Sequence, residues 1–278
     1  MIVAVASGKG GTGKTTVATN LALSLENVQF IDCDVEEPNA NVFLKAEVKE
    51  KEEVAVEIPV VDEEKCSYCG RCSDFCMYNA LAVVPSKVLV FPELCHSCRG
   101  CKLVCPSDAI SWRKRVVGRV EHGFADGVDF YHGLLKIGEI QAIPVIKTLK
   151  QKISKSRDAI LDAPPGTSCP VIETINGSDY CILVAEPTPF GLHDLKLAVS
   201  VVKHLSIPFG VIINCDGVGD KKVELFCQRE EIPVLLRIPH SEEIARLYSK
   251  GIPFVKELTV WRNHFQQLFS EIQEEVKK

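Results

Sequence analysis

The chain has 278 residues, 46% of them apolar, and a net charge of −5. That composition can bury a sizeable core and predicts one large domain, alone or with a small module. No basic stretch stands out, which argues against a nucleic-acid partner, and no apolar run is long enough for stable insertion in a bilayer.

Residues 2–6 (IVAVA) read as a buried parallel strand. A Gly-rich loop at 8–13 follows, then a helix with Val17, Leu21, Ala22 and Leu25 on one face. VQFID at 28–32 is the next strand. From about Lys49 to Pro59 the chain is charged and alternating, and residues 60–111 are rich in cysteine with little periodicity. The α/β rhythm resumes after Trp112. Strands are expected at AILDAPPG (159–166), DYCILVAE (179–186), FGVIIN (209–214) and VLLRIP (234–239), with a helix near His193–His204 and a last one over 260–276. The expected fold is α/β, a doubly wound and mostly parallel sheet with an insertion. The apolar start, MIVAVASGKGG, is too short for a signal peptide and lacks a positive leading region, so a cytoplasmic location is expected.

Gly8-Lys9-Gly10-Gly11-Thr12-Gly13-Lys14-Thr15 matches the phosphate-binding pattern G-x-x-x-x-G-K-[ST] between a strand and a helix. Its glycines let backbone N–H groups wrap phosphates, and the helix N-terminus favours the anion. Lys14 would reach the β- and γ-phosphates, and the Thr15 hydroxyl would bind Mg²⁺.

KGGTGKT resembles the deviant Walker A loop of the MinD, ParA, Mrp and nitrogenase iron protein superfamily, and the resemblance spans the chain outside the insertion. It implies an ATPase that binds ATP or ADP with Mg²⁺. It also implies that Lys9 reaches a partner's nucleotide across a homodimer. Thr16 continues the nucleotide-binding loop. Asp32-Cys33-Asp34, followed by Pro38-Asn39, is similar to the switch I segment: Asp34 would orient the attacking water and Asp32 would support the Mg²⁺ site. Asp162-Ala163-Pro164-Pro165-Gly166 resembles the Walker B and switch II segment, with Asp162 on Mg²⁺ and Gly166 sensing the γ-phosphate. Asn214 and Pro239 match the positions that contact the base. The P-loop ATPase domain is then expected at 1–59 and 112–278.

Thirteen cysteines are present, eight of them between Cys66 and Cys105. An odd count without a secretion signal argues against a disulfide framework and points to metal. Two tandem runs, CSYCGRCSDFC and CHSCRGCKLVC, each follow the C-x-x-C-x-x-C-x-x-x-C spacing of bacterial ferredoxins. In that arrangement three cysteines of one run and the last of the other share a cluster. One [4Fe–4S] cluster is expected on Cys66, Cys69, Cys72 and Cys105, and a second on Cys95, Cys98, Cys101 and Cys76. The insert at 60–111 would then be a ferredoxin-like α+β module. The rival reading is two Zn(Cys)₄ sites. Cys33, Cys169, Cys181, Cys215 and Cys227 stand apart, without the late C-x-x-C typical of Mrp carriers. Three roles fit: an ATP-gated electron donor, a carrier in iron–sulfur or metallocofactor assembly serving an apo-metalloprotein client, or a MinD-like positional switch with redox-sensing clusters.

Overall fold

The computed structural model describes residues 1–277. Short apolar runs become buried strands and amphipathic stretches become the helices that cover them. In chain order the elements are β1 (Ile2–Ala6), α1 (Lys14–Ser24), β2 (Gln29–Asp32), α2 (Ala40–Leu44), β3 (Glu47–Val61), α3 (Arg71–Phe75), β4 (Leu81–Val84), β5 (Lys87–Val90), α4 (Gly100–Leu103), β6 (Ile110–Ala125), β7 (Val128–Leu135), α5 (Ile143–Lys150), β8 (Ala159–Asp162), α6 (Cys169–Ile175), β9 (Tyr180–Ala185), α7 (Pro189–His204), β10 (Phe209–Asp216), α8 (Lys222–Arg229), β11 (Val234–Pro239), α9 (Glu242–Ser249) and α10 (Thr259–Val276).

Among the described residues, nine strands form one sheet in the order β11-β10-β9-β1-β8-β2-β7-β6-β3. From β11 to β7 the pairings are parallel. Strand β1 lies between β8 and β9, where the winding reverses, so the loop leaving its carboxyl end opens at the switch point where such sheets bind ligands. The register also sets Asp32 directly beside Asp162 at that same end of the sheet.

The main core joins Val17 and Leu21 of α1 to Phe265, Leu268, Phe269 and Ile272 of α10, with Phe30 and Phe130 beneath them. The apolar stripe of the last helix is therefore spent on the protein's own core. No helix among the described residues is long and apolar enough to cross a membrane. Helix α7 starts earlier than its apolar periodicity suggested. Thr188 Oγ1 accepts from Gly191 N at 3.0 Å, and Pro189 supplies a preset first-turn φ.

Strands β3, β6 and β7 were not foreseen. Residues 47–53 of β3 are largely charged and exposed, so they carry no apolar alternation. The turn between β6 and β7 did carry a signal. Asp126 and Gly127 adopt φ values of 49° and 81°, the left-handed pair of a two-residue hairpin turn.

The chain divides into two compact units, residues 1–52 with 120–134 and 146–278, and residues 53–119 with 135–145. The second unit holds all eight clustered cysteines, the antiparallel pair β4–β5 and a small core of Leu81, Val88, Cys101 and Ile110. Its backbone repeats. Left-handed residues Tyr68, Gly70 and Asn79 of the first run recur as Ser97, Arg99 and Asp108 of the second, each at the same offset from the matching cysteine.

Candidate nucleotide and metal sites

The loop between β1 and α1 lines a cleft of about 410 Å³, within the range of small-molecule sites. Lys9, Gly10, Gly11, Thr12, Gly13, Lys14, Thr15, Thr16, Asp34, Asn214 and Pro239 all border it. Gly13 has φ 85°, and a Cβ there would lie 2.2 Å from Asn214 Nδ2, so both conformation and space require glycine. Gly8 lies outside the cleft and packs against the backbone of Asp194, where a Cβ would come within 2.1 Å of its carbonyl oxygen.

Lys14 Nζ is buried and donates to Asp162 Oδ1 at 2.7 Å. Burial alone would lower the Lys14 pKa, but Asp162, with Asp32 and Asp34, carries the net shift upward. The other Asp162 oxygen, Oδ2, and the Thr12 hydroxyl are buried without hydrogen-bond partners among the described residues. Lys14 Nζ also reaches the Thr15 hydroxyl, at 3.4 Å. A carboxylate with an orphaned oxygen and a hydroxyl that share one lysine are oxygen donors of the kind a hard cation takes, so the residues fit Mg²⁺.

Asp32 is fully buried and its oxygens accept from Asp34 N and Ala40 N, both at 3.1 Å. It folds the 33–40 loop back on the carboxyl end of β2. Burial, then the neighbouring Asp162 charge, push its pKa up. Burial also raises Asp34, to about 6, with Lys14 pulling against it. Gly166 N donates to Ser7 O at 3.0 Å, tying the loop after β8 to the start of the phosphate loop. Asn214 Nδ2 donates to Thr12 O at 2.8 Å, so this amide clamps the loop itself. Lys9 Nζ pairs with Glu186 Oε2 of its own chain at 3.3 Å.

The eight clustered cysteines sort four and four around two small cavities. Cys66, Cys69, Cys72 and Cys105 line one, with Gly70, Val83 and Ile110. Cys76, Cys95, Cys98 and Cys101 line the other, with Tyr78, His96 and Trp112. Ala80 N donates to Cys76 Sγ and Ala109 N to Cys105 Sγ, each at 3.3 Å, and Tyr68 N to Cys66 Sγ at 3.4 Å. Sulfur acceptors bonded by backbone N–H groups are the surroundings a thiolate-held cluster needs, so the donor set fits such a group. His96 stacks on Tyr78 at 3.6 Å between centroids, which accounts for its ring without a ligand role.

Residues 3–254 match the family model described as the CobQ/CobB/MinD/ParA nucleotide binding domain. The chain belongs to this family. An uncharacterized protein of Methanocaldococcus jannaschii, MJ0579, is 32% identical over 274 residues, 96% of each chain. The iron-sulfur cluster carrier protein of Pyrococcus abyssi is 26% identical, over 91% of this chain and 78% of that protein. The fold is that of the Pyrococcus furiosus cell division ATPase MinD, with a TM-score of 0.60, 19% identity and 98% coverage of both chains.

Within this family member the cleft also has walls that motif reading missed. Glu37 borders it beside Asp34, and Phe43 and Tyr248 do so further along, with ring centroids 5.2 Å apart. These residues lie on α2, on α9 and in the 33–40 loop, far from the motif in sequence. Cys33, Cys181 and Cys227 are buried, and burial pushes the Cys181 thiol up to about 12. Cys169 is exposed at the first position of α6, and Cys215 is half-buried in the cleft wall.

Proposed function

We propose that the chain is a Mg²⁺-dependent ATPase, active as a nucleotide-sandwich homodimer, that carries two [4Fe–4S] clusters in an inserted ferredoxin-like module. It acts in electron transfer or in iron–sulfur or other metallocofactor assembly. The observation that carries this reading is the division of eight cysteines into two four-thiol cavities on a chain that also bears the phosphate-loop cleft.

Mg²⁺ held by Thr15 and Asp162 would neutralise charge on the phosphates, and the clusters would supply one-electron transfer. The chain's own residues do the rest. The N–H groups of Gly10 to Thr15 cradle the phosphates, and Lys14 moves from Asp162 to the phosphoryl oxygens. Asp34 holds the attacking water. Lys9 leaves Glu186 to stabilise charge developing in the partner's site, the role of a trans cation.

The C-x-x-C-x-x-C-x-x-x-C spacing, run twice, supports clusters over zinc, whose sites more often use separate C-x-x-C pairs. The relatives named iron-sulfur cluster carrier protein support a role in iron–sulfur chemistry.

The test is anaerobic reconstitution followed by iron and acid-labile sulfide analysis and Mg-ATP turnover. About eight of each atom per chain is the expected content; a zinc-only protein would overturn the reading. ATP-dependent reduction of an acceptor would then assign electron transfer, and release of a cluster to an apo-protein would assign assembly.

A further inference from the structure

The walls of the nucleotide cleft are of two kinds. Lys14, Thr15, Asp34 and Glu37 are polar, whereas Phe43, Ile244, Ala245, Tyr248 and Phe254 are apolar. A nucleotide divides in the same way, into charged phosphates and a flat base with apolar faces. Phosphates held on the phosphate loop leave the base to the apolar walls.

Three of those five residues come from α9. Ser241 Oγ accepts from Ile244 N at 3.4 Å and caps the helix just after Pro239. Leu247 turns into the main core. Ile244, Ala245 and Tyr248, at i, i+1 and i+4, share another face and border the cleft. The helix stops at Gly251, whose N donates to Tyr248 O at 2.9 Å. Gly251 has φ 64°, and a Cβ there would lie 3.1 Å from Val42 O, so the end of α9 rests on α2. At this junction the rings of Phe43 and Tyr248 meet, 5.2 Å apart and tilted by 35°. Phe43 is 7% exposed and Tyr248 53%. The first ring is a buried seat; the second is held by it at the cleft and stays largely open. Covering an open aromatic ring removes apolar area from water. A base does so by stacking, which reads ring area more than edge chemistry.

We propose that Tyr248, seated on Phe43, is a specificity-determining residue on which the base of the bound nucleotide stacks. It favours the larger purine ring over a pyrimidine. The inference rests on the phosphate-loop reading of the cleft and is independent of the clusters.

The experiment is calorimetric titration of the full chain with Mg-ADP and with Mg-UDP, for the unaltered protein, Tyr248→Phe, Tyr248→Leu and Tyr248→Ala, with the urea midpoint of each. The unaltered chain should prefer ADP. Loss of the ring in Tyr248→Ala should weaken ADP about tenfold and UDP by at most about threefold. Tyr248→Leu should lose the preference in the same direction, and it decides the matter if the alanine variant fails to fold. Tyr248→Phe should retain the preference. Equal weakening of both nucleotides would mark a structural role and overturn the inference. So would an ADP affinity that does not move, or a loss in Tyr248→Phe as large as in Tyr248→Ala. Failure of the unaltered chain to bind either nucleotide would instead overturn the reading on which it rests.

Discussion

Lys9 Nζ and Glu186 Oε2 form an ion pair within one chain at 3.3 Å, joining the phosphate loop to the residue that follows β9. Both side chains are partly exposed, at 32% and 23%. A pair of this kind is worth about 0.2–1 kcal/mol, weak enough to be exchanged for a phosphate in a dimer. Lys9→Ala is expected to abolish hydrolysis while retaining Mg-ATP binding, measured by steady-state turnover and fluorescent-nucleotide titration. Glu186→Gln should leave turnover intact and favour nucleotide-dependent self-association by at most about fivefold, read by sedimentation. Normal turnover in Lys9→Ala would refute the trans role.

Lys14 and Asp162 are a buried pair, and removing one partner strands the other. Lys14→Ala should therefore lose nucleotide binding and also destabilise the nucleotide-free protein by about 3 kcal/mol, seen as a lower urea midpoint with unchanged slope. Unchanged stability would mean the pair carries no structural weight.

The acidic strand ends predict an unusual pH dependence of the nucleotide-free protein. Asp34 sits at about 6 in the fold against an ordinary value of 3.8. The native state therefore holds more protons than the unfolded state across that window, and stability falls as pH rises from about 4 to 6. Asp32 acts with the same sign. Asp34→Asn should flatten the slope of urea midpoint against pH. A slope of the opposite sign in the unaltered protein would contradict the account.

Gly13 and Asn214 meet so closely that the phosphate loop depends on both. Asn214→Ala removes one bond to Thr12 O and should cost about 1 kcal/mol of stability, with a several-fold weaker ATP affinity. Gly13→Ala must meet both a left-handed φ and a collision, and is expected to abolish nucleotide binding outright. Calorimetric titration with Mg-ADP distinguishes the two.

The parts legible in the sequence are those whose chemistry fixes a spacing. The phosphate loop had to follow a strand and open a helix, and it does so between β1 and α1. The cysteine runs, read only as spacings, fall four and four around two cavities. What stayed hidden depends on register and packing. The charged start of β3 gives no apolar signal, because its side chains are largely exposed. Asp32 is expected from its motif to support the magnesium site; that its oxygens also accept from the backbone N–H groups of Asp34 and Ala40, and so shape the 33–40 loop, no motif announces. Glu186, Phe43 and Tyr248 come together with their partners only when distant elements pack, so no local pattern announces them.

The central claim is that one chain couples nucleotide state to two iron–sulfur clusters. An anaerobic EPR-monitored redox titration tests it most directly, run without nucleotide, with Mg-ADP and with a non-hydrolysable Mg-ATP analogue. The account predicts two interacting [4Fe–4S]⁺ signals whose midpoint potentials move when nucleotide is bound. A chain that holds no cluster, or two clusters whose potentials ignore the nucleotide, would contradict it.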